Sequence, residues 1–184
     1  QQTQLNIITY KSNQKKNNIQ TKIIIFVPYC EVYKPFIISC LTSIENQNYK
    51  YFHVILINDG AKNICFLEQF IKEKDFYTLV NLEENNGPAY SKWKFIEYIQ
   101  QNSENFNKND IVTIMDGDDK YNTEDALSII NETFAETGCW VSFGEITGKY
   151  YNIHKERLKN INLNNIRKQD FCFNHPRSMK LGLL

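Results

Sequence analysis

The feature that most constrains this chain is a recurrence in which short apolar runs end abruptly in polar loops, with helical patterns between them. Lys22 to Val27 is an almost unbroken apolar run that Pro28 ends. Such a run suits a strand buried on both faces, as in parallel sheets. Pro35 fits a first helical position and opens a helix whose Ile37, Ile38, Leu41 and Ile44 share one face. A strand over Phe52 to Ile57 leads into the turn Asn58, Asp59, Gly60, and a short helix over 64–74 turns Phe66, Leu67, Phe70 and Ile71 inward. Tyr77 to Leu82 is a third strand, and Gly87 and Pro88 open a helix carrying Ala89, Trp93 and Ile96. A fourth strand, Asp110 to Met115, runs straight into Asp116, Gly117, Asp118 and Asp119. Thr123 is placed to cap a further helix, with Glu124 and Asp125 favoured in its first turn by the helix dipole. Leu127, Ile130 and Phe134 form its inward face, and Cys139 to Phe143 reads as another strand.

Strand and helix thus alternate four times before residue 140. That order predicts an α/β fold of right-handed βαβ units, with a mostly parallel sheet flanked by helices on both faces. Ligands of such sheets bind outside the carboxyl ends of the strands. The loops at Tyr29 to Glu31, Asn58 to Gly60 and Asp116 to Asp119 each follow a strand directly, so they converge on that edge.

Composition limits what such an edge can hold. The 184 residues suit one domain, and 42% hydrophobic with 23% charged residues describes a soluble, globular chain. Residues 1–21 are a polar Gln-, Asn- and Lys-rich leader, expected to be disordered or loosely packed, and 22–184 form the folded domain. Lys plus Arg and Asp plus Glu both number 21, so no overall field draws the chain to a nucleic acid polymer. An anionic ligand must instead be held by a metal, a helix N-terminus or single basic residues. The five cysteines are odd in number and lack a C-x-x-C pair, which argues against a disulfide framework or zinc site and for a reducing, cytoplasmic setting. No apolar run is long enough for a transmembrane segment, and no signal peptide is visible in a chain that begins at Gln1.

Each polar loop admits two readings. Asp116, Asp118 and Asp119 repel one another unless a cation lies between them, and Mn2+ or Mg2+ commonly bridges such carboxylates to a diphosphate. Gly117 would let that backbone turn tightly. The same residues also make a solvated acidic turn before a helix. Asp59 can accept from a base or ribose, yet Asn58, Asp59 and Gly60 are also a strong turn on their own. The loop ending in Gly87 precedes a helix whose free N–H groups and Lys92 can face a phosphate, and it equally makes a plain connection.

The series as a whole resembles family 2 glycosyltransferases, which have the Rossmann-like GT-A fold. The resemblance rests on Ile23 to Tyr29, Cys40 to Gln47, Val54 to Gly60, Asn85 to Ala89 and Ile114 to Asp119, in the family's order and spacing. Trp140 to Gly144 and Phe173 to Arg177 are weaker, later matches. It implies transfer of a sugar from a nucleotide sugar, a UDP-sugar, to a glycan, protein or lipid acceptor, with inversion. By the same resemblance Pro28, Tyr29, Glu31 and Asp59 hold the base and ribose, with Tyr29 flanking the base. Gly87, Lys92, Asp116, Gly117 and Asp118 belong to the nucleotide site, and Asp118, Asp119 and Asp116 bind the metal. Cys30, Asn58 and Lys92 stand where the family often has Asn, Asp and Arg. The base that deprotonates the acceptor lies downstream, with Glu145 and Asp170 as candidates and a position beyond Leu184 as the alternative, while His175 and Arg177 are placed to touch diphosphate or acceptor. The domain is expected to be truncated on its acceptor side, so a nucleotide-sugar-binding module without turnover is the alternative. A nucleotidyltransferase is disfavoured because Pro28 to Glu31 is not Gly-rich or basic. A dinucleotide dehydrogenase lacks its G-x-G-x-x-G.

Overall fold

Apolar runs buried on both faces need covering on both sides, and the fold supplies it. A computed structural model describes residues 20–144 and 174–184. Strands β1 (Ile23–Tyr29) and β2 (Phe52–Asp59) are buried along nearly their whole length. They stand inside a six-stranded sheet of order β3-β2-β1-β4-β6-β5, with β3 at Tyr77–Leu82, β4 at Ile111–Ile114, β5 at Val141–Gly144 and β6 at Asn174–Lys180. β1 to β4 pair in parallel, while β6 lies antiparallel between β4 and β5. Among the described strands, β6 alone runs the other way.

Alternate residues of β1 feed separate cores. Ile23, Ile25, Val27 and Tyr29 pack with α1 (Ile37–Glu45), α2 (Cys65–Ile71) and α4 (Ala126–Thr137). Ile24 and Phe26 face α3 (Pro88–Gln101), where the Phe26 and Phe95 rings lie 4.8 Å apart. The chain steps from β1 to β2 to β3 in one direction, then crosses back past β1 to reach β4. A right-handed crossover stepping the opposite way must use the opposite face, which is why α3 covers the other side. The reversal leaves a crevice between the carboxyl ends of β1 and β4.

Several local expectations change. Pro28 does not end the first strand but lies within it, paired with Ile57. Even-numbered residues of β1 bond toward β4, as Met115 N–H donating to Phe26 O shows at 3.0 Å. β4 pairs with β1 only as far as Phe26 and Ile114, so the N–H that Pro28 lacks would have had no strand partner. Helix α3 buries Ser91, Phe95 and Ile99, whereas Trp93 is exposed. Of the residues that the sequence places on this helix, Ile96 packs against the same core.

Thr123 does not cap α4, which begins at Ala126 without a side-chain cap bond. Gln47, just beyond α1 and 1% exposed, satisfies this turn from outside. Its amide donates to Thr123 O at 2.6 Å and Ser43 O at 3.1 Å, and its Oε1 accepts from Leu127 N–H at 3.0 Å. β6 is not anticipated as a strand, because Pro176 breaks any apolar run there. Phe143 pairs with Arg177 but Gly144 with Asn174, so His175 and Pro176 form a bulge that accommodates the missing proline N–H. Leader residues 1–19 lie outside the described residues, and none of the described helices is long and apolar enough to cross a membrane.

Gln47→Ala is expected to lower unfolding free energy by about 2–3 kcal/mol, because it orphans buried backbone groups at the start of α4. Urea denaturation checks this, as a fall in midpoint at unchanged slope.

Candidate active site

The crevice between β1 and β4 is a cleft of ≈ 280 Å³. Pro28, Tyr29, Cys30 and Tyr33 line one side, Asp59, Asn85, Gly87 and Pro88 another, and Ser91, Lys92, Ile114, Asp116 and Arg177 complete it. Three strand-end loops and the first turns of α3 therefore meet as the sequence order implied. Lys92 is exposed, on the second turn of α3. Arg177 arrives from the antiparallel strand, opposite Ile114 of β4. One residue on, Ser178 donates to Thr113 Oγ1 at 3.0 Å, both side chains fully buried. That bond favours this register, since a one-residue slip would turn Arg177 to the other face of the sheet.

Asp59 and the loop before α3 make one unit. The Asp59 carboxylate is 5% exposed and accepts from Asn86 N–H at Oδ1 and Gly87 N–H at Oδ2, both at 2.9 Å. The N–H groups of the loop before α3 are therefore bonded to Asp59. At the helix start, Tyr90 and Ser91 N–H both donate to Gly87 O, and Pro88 has no N–H. Asn58, where the resembled family has Asp, is buried, and an Asn fits its partners. Its amide nitrogen donates to Asn81 Oδ1 at 3.0 Å and Ala61 O at 3.1 Å, while its oxygen accepts from Ala61 N–H at 3.0 Å. A carboxylate has no donor for the first two. Gly60 sits at φ +70°, and a methyl group there would collide with the backbone of Glu84 and Asn85.

The acidic loop is arranged differently from its expectation. Asp116 borders the cleft and is half-buried, while Asp118 and Asp119 are exposed and outside the lining. Asp119 N–H donates to Asp116 O at 3.0 Å, closing the turn. Gly117 does not use a left-handed backbone. A Cβ there would come within 3.0 Å of Pro28 O and of the Tyr33 ring, so its role is close approach to the β1 loop. The field of these carboxylates reaches the surrounding groups. Burial, then Asp118, Asp116 and Asp119, raise the Tyr33 pKa. Burial followed by the same three aspartates pushes the Cys40 thiol up to about 12.

Oxygen-only donors on one tight turn suit Mn2+ or Mg2+. Among the described residues no three His, Cys, Asp or Glu side chains form a metal-holding group. The donor set thus fits an ion held by one or two carboxylates and completed by phosphate and water, as Mg2+ commonly is.

Two placements depart from the expected base site. The Tyr29 ring is wholly buried in the core with α1, and its hydroxyl has no hydrogen-bond partner. Its side chain cannot flank a base from there, because β1 alternation turns it into the core. Glu31 is exposed, paired with Lys34 at 3.1 Å, and lies outside the cleft lining. The partly exposed aromatic beside the cleft is Tyr33, in the single 3-10 turn Glu31–Tyr33 that follows β1. Its spacing of four from Tyr29 was the available signal. Ser91, which packs inward beside Lys92, was not marked by any motif. Glu145, Asp170 and the side chain of His175 lie outside the described residues.

The mannosyltransferase PcManGT from Pyrobaculum calidifontis, in complex with GDP-Man and Mn2+, is similar at TM-score 0.65 and 17% identity, covering 89% of this chain and 45% of that one. S. aureus TarS 1-349 in complex with UDP-GlcNAc is similar at TM-score 0.63 and 18% identity, covering 89% and 46%. The UDP complex of the same TarS fragment gives TM-score 0.56 at 18% identity, covering 70% and 37%. The chain therefore spans less than half the length of these structures, and at such identity the likeness is one of fold. A search of curated proteins found no match. Residues 24–180 match the sequence profile of glycosyl transferase family 2, most of the chain and every strand of the sheet but the first residue of β1. The chain belongs to glycosyl transferase family 2 and has the GT-A fold.

Proposed function

We propose that this chain takes a nucleotide sugar, a UDP-sugar, into the β1–β4 cleft and transfers its sugar to an acceptor hydroxyl with inversion, dependent on Mn2+ or Mg2+. The observation that carries this reading is the meeting of Asp116, Lys92 and Arg177 on one cleft at the strand-order reversal of a family 2 chain. Similar structures in complex with GDP-Man and Mn2+, and with UDP-GlcNAc, support it.

In this reading Lys92 and Arg177 balance the diphosphate charge, and Pro28 and Ile114 keep water from part of the cleft. Asp116, with Asp118 or Asp119, holds the ion, and a bound Mn2+ or Mg2+ supplies Lewis-acid stabilisation of charge on the departing diphosphate. The acceptor oxygen attacks the anomeric carbon opposite the diphosphate, the carbon–oxygen bond to UDP breaks, and the acceptor proton passes to a carboxylate base. Glu145 and Asp170 are the candidates for that base. Tyr33 replaces Tyr29 as the aromatic neighbour of the ligand. The acceptor is a glycan, protein or lipid hydroxyl, and the widely spaced cysteines support a cytoplasmic setting.

Calorimetry with UDP and Mn2+ tests the assignment. Asp116→Ala is expected to weaken UDP binding by about tenfold or more, through loss of a charge-assisted contact, and Asp118→Ala with Asp119→Ala to weaken its Mn2+ dependence. Equal UDP affinity in all three proteins overturns the metal assignment. Chelation with EDTA is expected to abolish UDP-sugar hydrolysis and transfer, with Mn2+ restoring both. Activity unchanged in EDTA overturns metal dependence, and UDP-sugar binding without either activity marks a binding module instead.

A further inference from the structure

Three carboxylates within four residues repel one another, so a turn that is to present them together must be held from outside. The hold comes from α1. Its residues Cys40 and Ser43, with Gln47 just beyond its end, follow at three- and four-residue steps and so share one side. Cys40 lies against the start of the turn. Burial first, and then the three aspartates, keep its thiol protonated, and Sγ donates to Asp116 O at 3.7 Å. Ser43 meets the far end. Its hydroxyl donates to Cys40 O at 2.7 Å within the helix, which leaves the oxygen to accept from Tyr121 N–H at 3.1 Å. Gln47 continues the series to Thr123 O and Leu127 N–H.

Tyr121 is where the exposed stretch returns to the core. Asp118, Asp119 and Lys120 are exposed, whereas Tyr121 is 7% exposed and packs in the core beside α1 and α4. The stretch 117–120 is thus strung between two points held by one helix, Asp116 O and Tyr121 N–H. Asp119 N–H closes it from inside by bonding back to Asp116 O. A turn already held in shape loses less freedom when an ion binds to it.

The structure assigns Ser43 the part of a positioning residue: by holding the Tyr121 amide it fixes the turn that presents Asp118 and Asp119 to a divalent cation. This rests on the metal reading above and names what arranges the carboxylates within it. Ser43 lies outside the cleft lining, so it acts on the ion through the turn and not by contact with the nucleotide.

The test follows Mn2+ binding to the UDP-saturated protein, by the EPR signal of free Mn2+, in the parent, Ser43→Ala, Ser43→Thr and Tyr49→Phe. Ser43→Ala is expected to weaken Mn2+ binding about three- to tenfold, the scale of one neutral hydrogen bond, with UDP affinity in EDTA unchanged. Ser43→Thr keeps the hydroxyl and is expected to bind Mn2+ as the parent does. Tyr49→Phe loses bonds to Thr21 O and Asn131 Oδ1 beyond the end of α1, and serves as a destabilised control. Its urea midpoint should fall while its Mn2+ affinity stays at the parent value. Amide exchange in the free protein gives a readout without ligand: Tyr121 should exchange faster in Ser43→Ala, with β1 amides unchanged. Parent-like Mn2+ affinity in Ser43→Ala, an equal loss in Tyr49→Phe, and no recovery in Ser43→Thr each overturn the proposal. So does a matching loss of UDP affinity in EDTA, or unchanged exchange at Tyr121. A parent whose UDP binding gains nothing from Mn2+ overturns the metal reading and the proposal with it.

Discussion

The crevice beside β1 exists because a parallel sheet can change its direction of growth only by changing faces. Strands β1, β2 and β3 are laid down in one direction, and β4 must then be placed on the far side of β1. The right-handed preference of βαβ crossovers means that the reversal between β3 and β4 sends α3 to the face opposite α1 and α2. The ends of β1 and β4 separate, and Pro28 sits where pairing between them has already stopped. Everything polar in the cleft reaches it through that separation. Polar residues inside the strands pair with each other, as Thr113 with Ser178 and His53 with Thr78.

Charge is distributed around this opening rather than across the molecule. The chain carries no net charge, yet the cleft sets the half-buried Asp116 with Lys92 and Arg177, and the exposed Asp118 and Asp119 lie one turn beyond Asp116. Burial first, and then the negative groups at the far end, raise the pKa of Tyr33 and Cys40. The other acidic residue, Asp59, is neutralised in place by backbone donors. Two aspartates bordering the same cleft therefore have different chemistry, set by whether N–H groups already meet them.

Much of this was legible in the sequence, for a physical reason. Strands buried on both faces leave little room for polar residues, so β1 and the middle of β2 read directly as apolar runs that turn polar at Asn58 and Asp59, while the edge strand β3 is half-buried and carries Thr78 and Asn81. The loops at Asp59 and Asp116 were found on that ground, and family 2 followed from their order. What escaped notice depends on contacts distant in sequence. Gln47 stabilises the start of α4 from the end of α1, so no local pattern names it, and Thr123 looked like the cap. Tyr29 was assigned to the ligand because it follows the run, but the two-residue period of the strand turns it into the core. Ser91 carries no apolar signal, although it is fully buried on α3. β6 carries Pro176, Arg177 and Lys180 in seven residues and shows no apolar run, since its bulge and its site residue both work against one.

The position of β6 also bears on how the molecule assembles. Arg177 enters the cleft only when its strand has slotted between β4 and β5, and its partner in the sheet, Ile114, is more than sixty residues earlier in the chain. Pairing over such a separation carries a large loop-closure cost before any contact repays it, and such steps are slow. The parallel half of the sheet, β3-β2-β1-β4, can form from residues up to 114 without it. A folding chain would then pass through a stage in which the acidic turn and Lys92 are in place but the second cation is not. Until the last strand zips in, β4 presents an unpaired edge, the kind of surface on which chains associate wrongly. The same insertion that finishes the charge balance of the cleft also closes that edge, so completion of the site and protection from misassembly are a single kinetic event.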